Sequence, residues 1–106
     1  MIEEIQNCFK LEKILFSKHA KTEMDNDEFG NIIEHEVVEV VLNGKIIEDY
    51  PEDEPYPSCL IYGKTEKDRP LHVVCAYSKE DELTIIVTVY HPDPEKWIDN
   101  EERRKE

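Results

Sequence analysis

The second half of the sequence contains three runs dominated by Val, Ile, Tyr and Thr, with polar turns between them. The runs are SCLIYGKT from Ser58, PLHVVCAYSK from Pro70 and ELTIIVTVYH from Glu82. Residues of these types favour strands, and the period of two is typical of a sheet with one buried face. The shorter KIIEDY run from Lys45 adds a fourth strand. The pattern therefore predicts a four-stranded antiparallel sheet built as a meander.

The rest of the chain has helical patterns. Apolar residues at intervals of three and four predict a short helix, or a helix leading into a strand, over residues 2–15. Ser17 is a candidate N-cap for a helix through KHAKTEMD, because a serine hydroxyl accepts a free backbone N–H. The segment IEHEVVEVVLNG predicts a further helix from Ile33 that stops at Asn43 and Gly44, with a strand as the alternative because valine lowers helix propensity.

The C-terminal segment HPDPEKWIDNEERRKE begins with two prolines and continues with charged residues, which predicts a C-terminal helix. A chain of 106 residues is too short for two cores. We therefore predict a single α+β domain over residues 1–106, with N-terminal helices packed on the sheet and a helix at the C-terminus.

The charge of the chain argues against a surface that grips nucleic acid along its length. Twenty-six acidic residues against 13 basic ones give a net charge of −13, which repels phosphate over long range. The bases gather in the second half, where Lys64, Lys67 and Arg69 surround one predicted turn and 103–105 is a basic run. These bases form either a local basic patch or a set of solvated surface charges.

Several classes of protein and site are disfavoured. Cys8, Cys59 and Cys75 have no CxxC spacing, so we expect free thiols rather than disulfides or a zinc site. The histidines have no metal-ligand spacing, and no cofactor is predicted. No apolar run is long enough to span a membrane, and glutamates stand where a secretory signal needs positive charge. The expected location is the cytoplasm.

The last predicted hairpin places a histidine and a tyrosine on one face. A turn over residues 78–82 sets Tyr77 opposite Leu83 and continues with apolar pairs along one side, which is the expected core face. The opposite face then carries His72 across from Thr88 and diagonal to Tyr90.

The motifs FSKHAKTEM, RPLHVVCAY and YHPDPEKW resemble a bacterial and archaeal group known as domain-of-unknown-function family 4258. The resemblance covers residues 13–104, and its most specific parts are Ser17 to Ala20 and Tyr90 to Trp97. It implies a RelE/ParE-like toxin fold, with helices packed on an antiparallel sheet. It also implies a cognate antitoxin as partner, which resembles a small zinc-finger protein.

RNA cleavage without a metal needs a base, an acid and a cation that faces the phosphate. His19 and His72 are the candidate base and acid, and Tyr90 is a candidate proton donor. The candidate substrate-binding cations are Lys64, Arg69 and Arg103. The predicted function is therefore a toxin that is a metal-independent endoribonuclease. The alternative is a non-catalytic acidic protein that binds a basic protein partner, with His19 serving only to lock its helix in place.

Overall fold

A five-stranded mixed sheet forms the centre of the fold. The computed structural model describes residues 1–105, and the strands lie in the order β1-β5-β4-β3-β2. Strands β2 to β5 pair antiparallel, as the alternation predicts, whereas β1 runs parallel to β5. The elements are α1 Ile2–Lys10, β1 Ile14–Phe16, α2 Lys18–Asp25, α3 Glu34–Asn43, β2 Lys45–Tyr50, β3 Ser58–Lys64, β4 Pro70–Ser78, β5 Leu83–Tyr90, β6 Trp97–Ile98 and β7 Glu102–Arg103.

One face of the sheet carries the hydrophobic core. Side chains from α1 and α3 pack against alternate residues of β3, β4 and β5. The approach of α3 to β3 requires glycine, because a Cβ added to Gly63 would lie 2.7 Å from the carbonyl oxygen of Val40. The core includes Ile5, Phe9, Val37, Val40, Val41, Ile61, Leu71, Val73, Ile86 and Val89. Cys8, Cys59 and Cys75 are buried free thiols, which confirms that prediction.

Ser17 fixes the start of α2 and joins it to β5. Its hydroxyl accepts the N–H of Ala20 at 3.0 Å and donates to the carbonyl of Val87 at 3.1 Å. Its own N–H donates to the carbonyl of Ile86 at 2.9 Å. The predicted N-cap and the helix KHAKTEMD are therefore confirmed.

The prediction of four strands was wrong because residues 14–16 form a fifth. Ile14, Leu15 and Phe16 pair in parallel with Thr84, Ile85 and Ile86. Helix α1 ends at Lys10, and its C-terminus is followed by a residue with positive φ, Glu12, before the short strand begins. The alternative of a helix that leads into a strand is therefore confirmed for this part of the chain, with the strand at Ile14–Phe16.

The predicted C-terminal helix is absent from residues 1–105, where strands β6 and β7 form a small antiparallel hairpin instead. Asp99 and Asn100, in its turn, have φ values of 51° and 64°. Aspartate and asparagine tolerate this left-handed conformation, but a right-handed helix cannot contain it. Residues 92–105, which include this hairpin, are called the C-terminal segment below.

The predicted register of the last hairpin was also wrong. Tyr77 pairs with Thr84 instead of Leu83, and Cys75 pairs with Ile86. A bulge at Val87 then shifts the pairing by one more residue, so that His72 lies directly opposite Tyr90. The core face of β4 nevertheless matches the prediction, because its alternation is regular and only the partner strand is displaced.

Candidate functional site

Three aromatic rings lie side by side on the sheet face that points away from the core. Tyr62 on β3 pairs with His72 on β4, and His72 pairs with Tyr90 on β5. The ring centroids of Tyr62 and His72 are 5.8 Å apart, and those of His72 and Tyr90 are 5.2 Å apart, both in edge-to-face orientations. This row places an imidazole between two phenols.

The C-terminal segment covers the imidazole of His72 completely. The Trp97 ring stands perpendicular to it with a centroid distance of 4.4 Å, and the Nε2 atom of His72 is 2.5 Å from the carbonyl oxygen of Asn100. His72 is 0% exposed. RNA cleavage by His72 requires this face to be open, but β6, β7 and the turn between them close it.

These contacts define the protonation state of His72. The carbonyl of Asn100 only accepts a hydrogen bond, so the proton of a neutral ring resides on Nε2. The Nδ1 atom, 3.1 Å from the Tyr90 hydroxyl, then accepts a hydrogen bond from that group. Burial lowers the pKa of His72, and burial also raises the pKa of Tyr90 to about 12. Both groups are neutral near pH 7 and are fully engaged with each other and with Asn100.

An ion pair anchors the C-terminal segment to the edge strand β2. Arg103 donates through Nε to Glu48 Oε2 at 2.8 Å and through Nη2 to Oε1 at 3.1 Å. Its guanidinium carbon also lies 4.6 Å from the centroid of the Trp97 ring, which is a cation–π contact. Tyr50 donates a further hydrogen bond to Glu48, and Lys45 forms an ion pair with Glu101.

The pKa of the Glu48 carboxyl reflects two opposing effects. Burial raises its pKa, but the hydrogen bonds from Arg103 and Tyr50 outweigh burial and lower the pKa overall. Glu48 is therefore a carboxylate at neutral pH, and its hydrogen bonds with Arg103 are the main cause that raises the pKa of that guanidinium. His72, Tyr90, Tyr62, Glu48 and Tyr50 lie on this same face of the sheet, and we call them the His72 face.

His19 lies apart from the His72 face. Its side chain is 69% exposed on α2 and its Nε2 atom is 3.4 Å from Glu23 Oε1. The same Glu23 oxygen accepts the N–H of Val89 at 3.2 Å, and burial raises the pKa of this carboxyl. No hydrogen bond or ring contact within residues 1–105 joins His19 to His72 or Tyr90.

The three predicted substrate-binding cations all have internal partners. Lys64 lies at the end of β3, 3.5 Å from Asp68. Arg69 donates to the carbonyls of Asn31 and Gly30 and lies 3.5 Å from Glu36. Of the three, Arg103 alone reaches the His72 face, and there it binds Glu48.

A cavity of about 290 Å³ opens beside Tyr90 and the C-terminal segment. Its walls include Tyr90, Trp97 and Arg103, together with His91, which stacks on Phe29 at 4.5 Å. Three carboxylates and one lysine complete the lining: Asp27, Glu28, Asp93 and Lys96. A larger cavity, about 750 Å³, lies elsewhere, between residues 55–57 and the turn after β4, and contains none of the predicted site residues.

Sequence reasoning found His72, Tyr90 and Arg103 but missed the groups that hold them. The alternation of β3 carries a signal for Tyr62, which lies on the same face as Lys64 and Leu60. Glu48 has no such signal, because a bulge at Ile47 interrupts the alternation of β2. Trp97 ends the motif that begins at Tyr90, but nothing in the sequence indicates its contact with His72.

The described residues contain neither a cluster of metal-ligating side chains nor a membrane-spanning helix. Within residues 1–105, no group of three or more His, Cys, Asp or Glu side chains is arranged to hold a metal ion. None of the helices described in that range is long and apolar enough to cross a bilayer.

The fold and the site define a small α+β protein in which a buried histidine, paired with a half-buried tyrosine, lies beneath its own C-terminal hairpin. The chain belongs to the family described as Domain of unknown function (DUF4258), whose model matches residues 16–91. This match confirms the family that the motifs indicated. The C-terminal segment follows the last matched residue, His91.

No curated protein and no solved structure matches the chain. The likeness to RelE/ParE-like toxins therefore stays a prediction.

Proposed function

We propose that this protein acts by binding a basic protein partner in the cytoplasm. The partner is the cognate antitoxin that the family resemblance implies, a small zinc-finger protein being one form. The net charge of −13 favours a partner of opposite charge, because long-range attraction accelerates their encounter. The same negative charge repels the phosphates of nucleic acid.

The observation that carries this proposal is the internal pairing of the cations that sequence analysis assigned to phosphate. Arg103 binds Glu48, Arg69 binds two carbonyls and faces Glu36, and Lys64 faces Asp68. Each of them is partly neutralised by an acidic neighbour. By contrast, the cavity beside Tyr90 exposes three carboxylates against two cations and a histidine. This balance of charge suits a basic protein better than a phosphodiester.

The test is co-expression of the chain with the product of each adjacent reading frame, followed by purification and measurement of affinity at low and high salt. We expect a stable complex with a basic product whose affinity falls by about tenfold or more between 50 and 500 mM NaCl, because screening weakens attraction between exposed charges. Failure of every adjacent product to bind, or an affinity that salt does not change, would refute the proposal.

A second candidate function is a metal-independent endoribonuclease, and the contact between His72 and Tyr90 favours it. The pair joins a proton acceptor to a proton donor on one face of the sheet. His72 is buried in the closed arrangement, so this function requires the C-terminal segment to move away.

Labelled RNA incubated with the protein and EDTA tests the second candidate. We expect cleavage that His72→Ala and Tyr90→Phe abolish, while His19→Ala, which alters an exposed side chain away from this pair, preserves it. The Arg103→Lys variant keeps the charge, weakens the bidentate bond to Glu48 and serves as a more open form of the protein. Intact RNA with both the wild type and this variant would exclude the ribonuclease.

A further inference from the structure

We infer that the His72 face is a peptide-binding surface, and that the C-terminal segment is an internal ligand which a basic segment of the partner protein displaces. This inference rests on the proposed function and adds the location of the binding site and the side chains that the partner presents. Those side chains are an aromatic ring and, a few residues away, an arginine.

The internal ligand shows how the surface recognises a peptide. Its indole ring packs against the imidazole of His72, its backbone carbonyl at Asn100 accepts from Nε2, and its guanidinium binds Glu48 in a bidentate way. These contacts use three different kinds of chemistry: aromatic packing, a backbone hydrogen bond and a charge-assisted pair. A peptide in trans with the same spacing would satisfy all of them.

Outside this set, the internal ligand is joined to β2 by the ion pair between Glu101 and Lys45. Strands β6 and β7 have two residues each, and such a short hairpin has little stability of its own. Trp97 is 4% exposed, whereas Ile98 is 38% exposed and Glu102 and Arg103 are exposed. Release of the segment therefore breaks the contacts at the His72 face and leaves the helix-covered core on the other side of the sheet intact.

Charge makes a basic peptide the better ligand. Residues 93–105 contain five acidic and four basic side chains, so the internal ligand has a net charge of −1 on an acidic protein. Tethering offsets this poor match, because a linked ligand acts at an effective concentration on the order of millimolar. A partner segment that keeps the ring and the arginine but lacks the carboxylates gains attraction from Glu48 and from Asp27 and Glu28, which lie beside Tyr90 outside the C-terminal segment.

The experiment uses a synthetic peptide of residues 93–105 and the full-length protein. Binding is measured by calorimetry to the wild type, to Arg103→Ala and to Trp97→Ala/Arg103→Ala, whose own segments are weakened. We expect the peptide to bind the double variant about tenfold or more tightly than it binds the wild type, where the tethered segment competes. Equal affinities for all three proteins, or binding to none of them, would overturn the inference.

Matched peptides separate specific recognition from general charge. Arg104 carries the same charge as Arg103, but its Nε atom donates to Pro94 within the segment, 2.8 Å away. A peptide with Arg104→Ala should therefore bind the double variant as the native peptide does, whereas Arg103→Ala should abolish binding. A Glu102→Lys peptide, more positive by two charges, should bind more tightly. Equal losses for the two arginine peptides would refute a defined site at Glu48.

If Trp97→Ala prevents folding, the Arg103→Ala variant is used alone. This variant should fold, because the Arg103 side chain is 62% exposed. Glu48→Gln in the receptor provides a further arm and should remove peptide binding from the double variant. If binding remained, Glu48 would not be the arginine site and the inference would fail.

This inference and the proposed function fail in different ways. If the peptide of residues 93–105 binds the double variant but no adjacent gene product binds the protein, the peptide-binding surface is supported and the proposed function is refuted. A salt-sensitive complex whose affinity Glu48→Gln and Trp97→Ala both leave unchanged would support the function and refute this surface.

Discussion

His72 and Tyr90 lie directly opposite each other on β4 and β5, with the Nδ1 atom 3.1 Å from the phenolic oxygen. Their contact is enclosed, because Trp97 and Asn100 close the remaining sides of the imidazole. The imidazole of His72 is therefore held neutral and out of reach of a large substrate until the C-terminal segment moves, whereas Tyr90 is half-buried and lines the neighbouring cavity.

Trp97→Ala should return the pKa of His72 toward its ordinary value. The pKa is lowered chiefly by burial beneath the segment that Trp97 anchors, so loss of the indole should hydrate the imidazole. An NMR titration of the histidine side chains measures this directly. Ile98→Ala is the matched control, because Ile98 lies next in sequence and is exposed. A pKa that stays lowered in Trp97→Ala would show that the sheet alone buries His72.

His72 should make the protein less stable as pH falls. Its folded pKa is below the ordinary value of 6.5, so the unfolded chain binds more protons once the pH falls below that value. The contribution of His72 to the free energy of unfolding is fully present above pH 6.5. It is lost as the pH falls from that value to the folded pKa, by at most about 1.4 kcal/mol per pH unit.

Denaturant unfolding at several pH values between 5 and 8 tests this effect. His72→Phe keeps an aromatic ring but cannot bind a proton, so its stability should change less with pH than that of the wild type. Carboxylates distant from His72 contribute equally to both proteins, whereas the pKa of Glu48 is coupled to the charge of His72. Parallel pH profiles would contradict the expected role of His72.

The helices and strands that sequence patterns predicted are those with local determinants. The hydroxyl of Ser17 caps α2 through a bond to Ala20, three residues away, so the signal lies within one turn. The alternation in β4 located His72 on the correct face because that strand is regular. In β5, the bulge at Val87 adds one residue to the strand, and a period of two cannot reveal it.

The C-terminal hairpin was not predictable because its determinants are distant in sequence. Trp97 packs on His72, and Arg103 binds Glu48, which is 55 positions away. Helix-forming residues near the end of the chain favoured a helix, and tertiary contacts overrode that preference. The pair Asp99-Asn100 was the one local signal, since both residue types tolerate positive φ.

Ser17→Ala should destabilise the protein by about 1 to 2 kcal/mol, because it removes a helix cap and a bond to β5. Chemical denaturation measures the change, and hydrogen exchange should locate it in α2. Ser17→Thr retains the hydroxyl and should recover most of the loss. Lys18→Ala, an exposed neighbour, should have little effect. A Ser17→Ala protein as stable as the wild type would contradict the role of the cap.

The pair of Glu48 and Arg103 should contribute about 0.5 to 1 kcal/mol to stability in a double-mutant cycle at low salt, since Arg103 is mostly exposed. The cycle uses Glu48→Gln and Arg103→Gln, and the coupling should decrease in 0.5 M NaCl. Lys64 and Asp68, with a single contact and exposed side chains, provide a control pair with a smaller coupling. Equal coupling in the two pairs would show that the bidentate geometry adds nothing.

Hydrogen exchange of the full-length protein, with and without its co-purified basic partner, tests the central claim most directly. If the partner replaces the C-terminal segment on the His72 face, the amides of residues 97–103 exchange faster in the complex, while those of β3 to β5 stay protected. Unchanged or slower exchange in residues 97–103 upon formation of the complex would contradict the account.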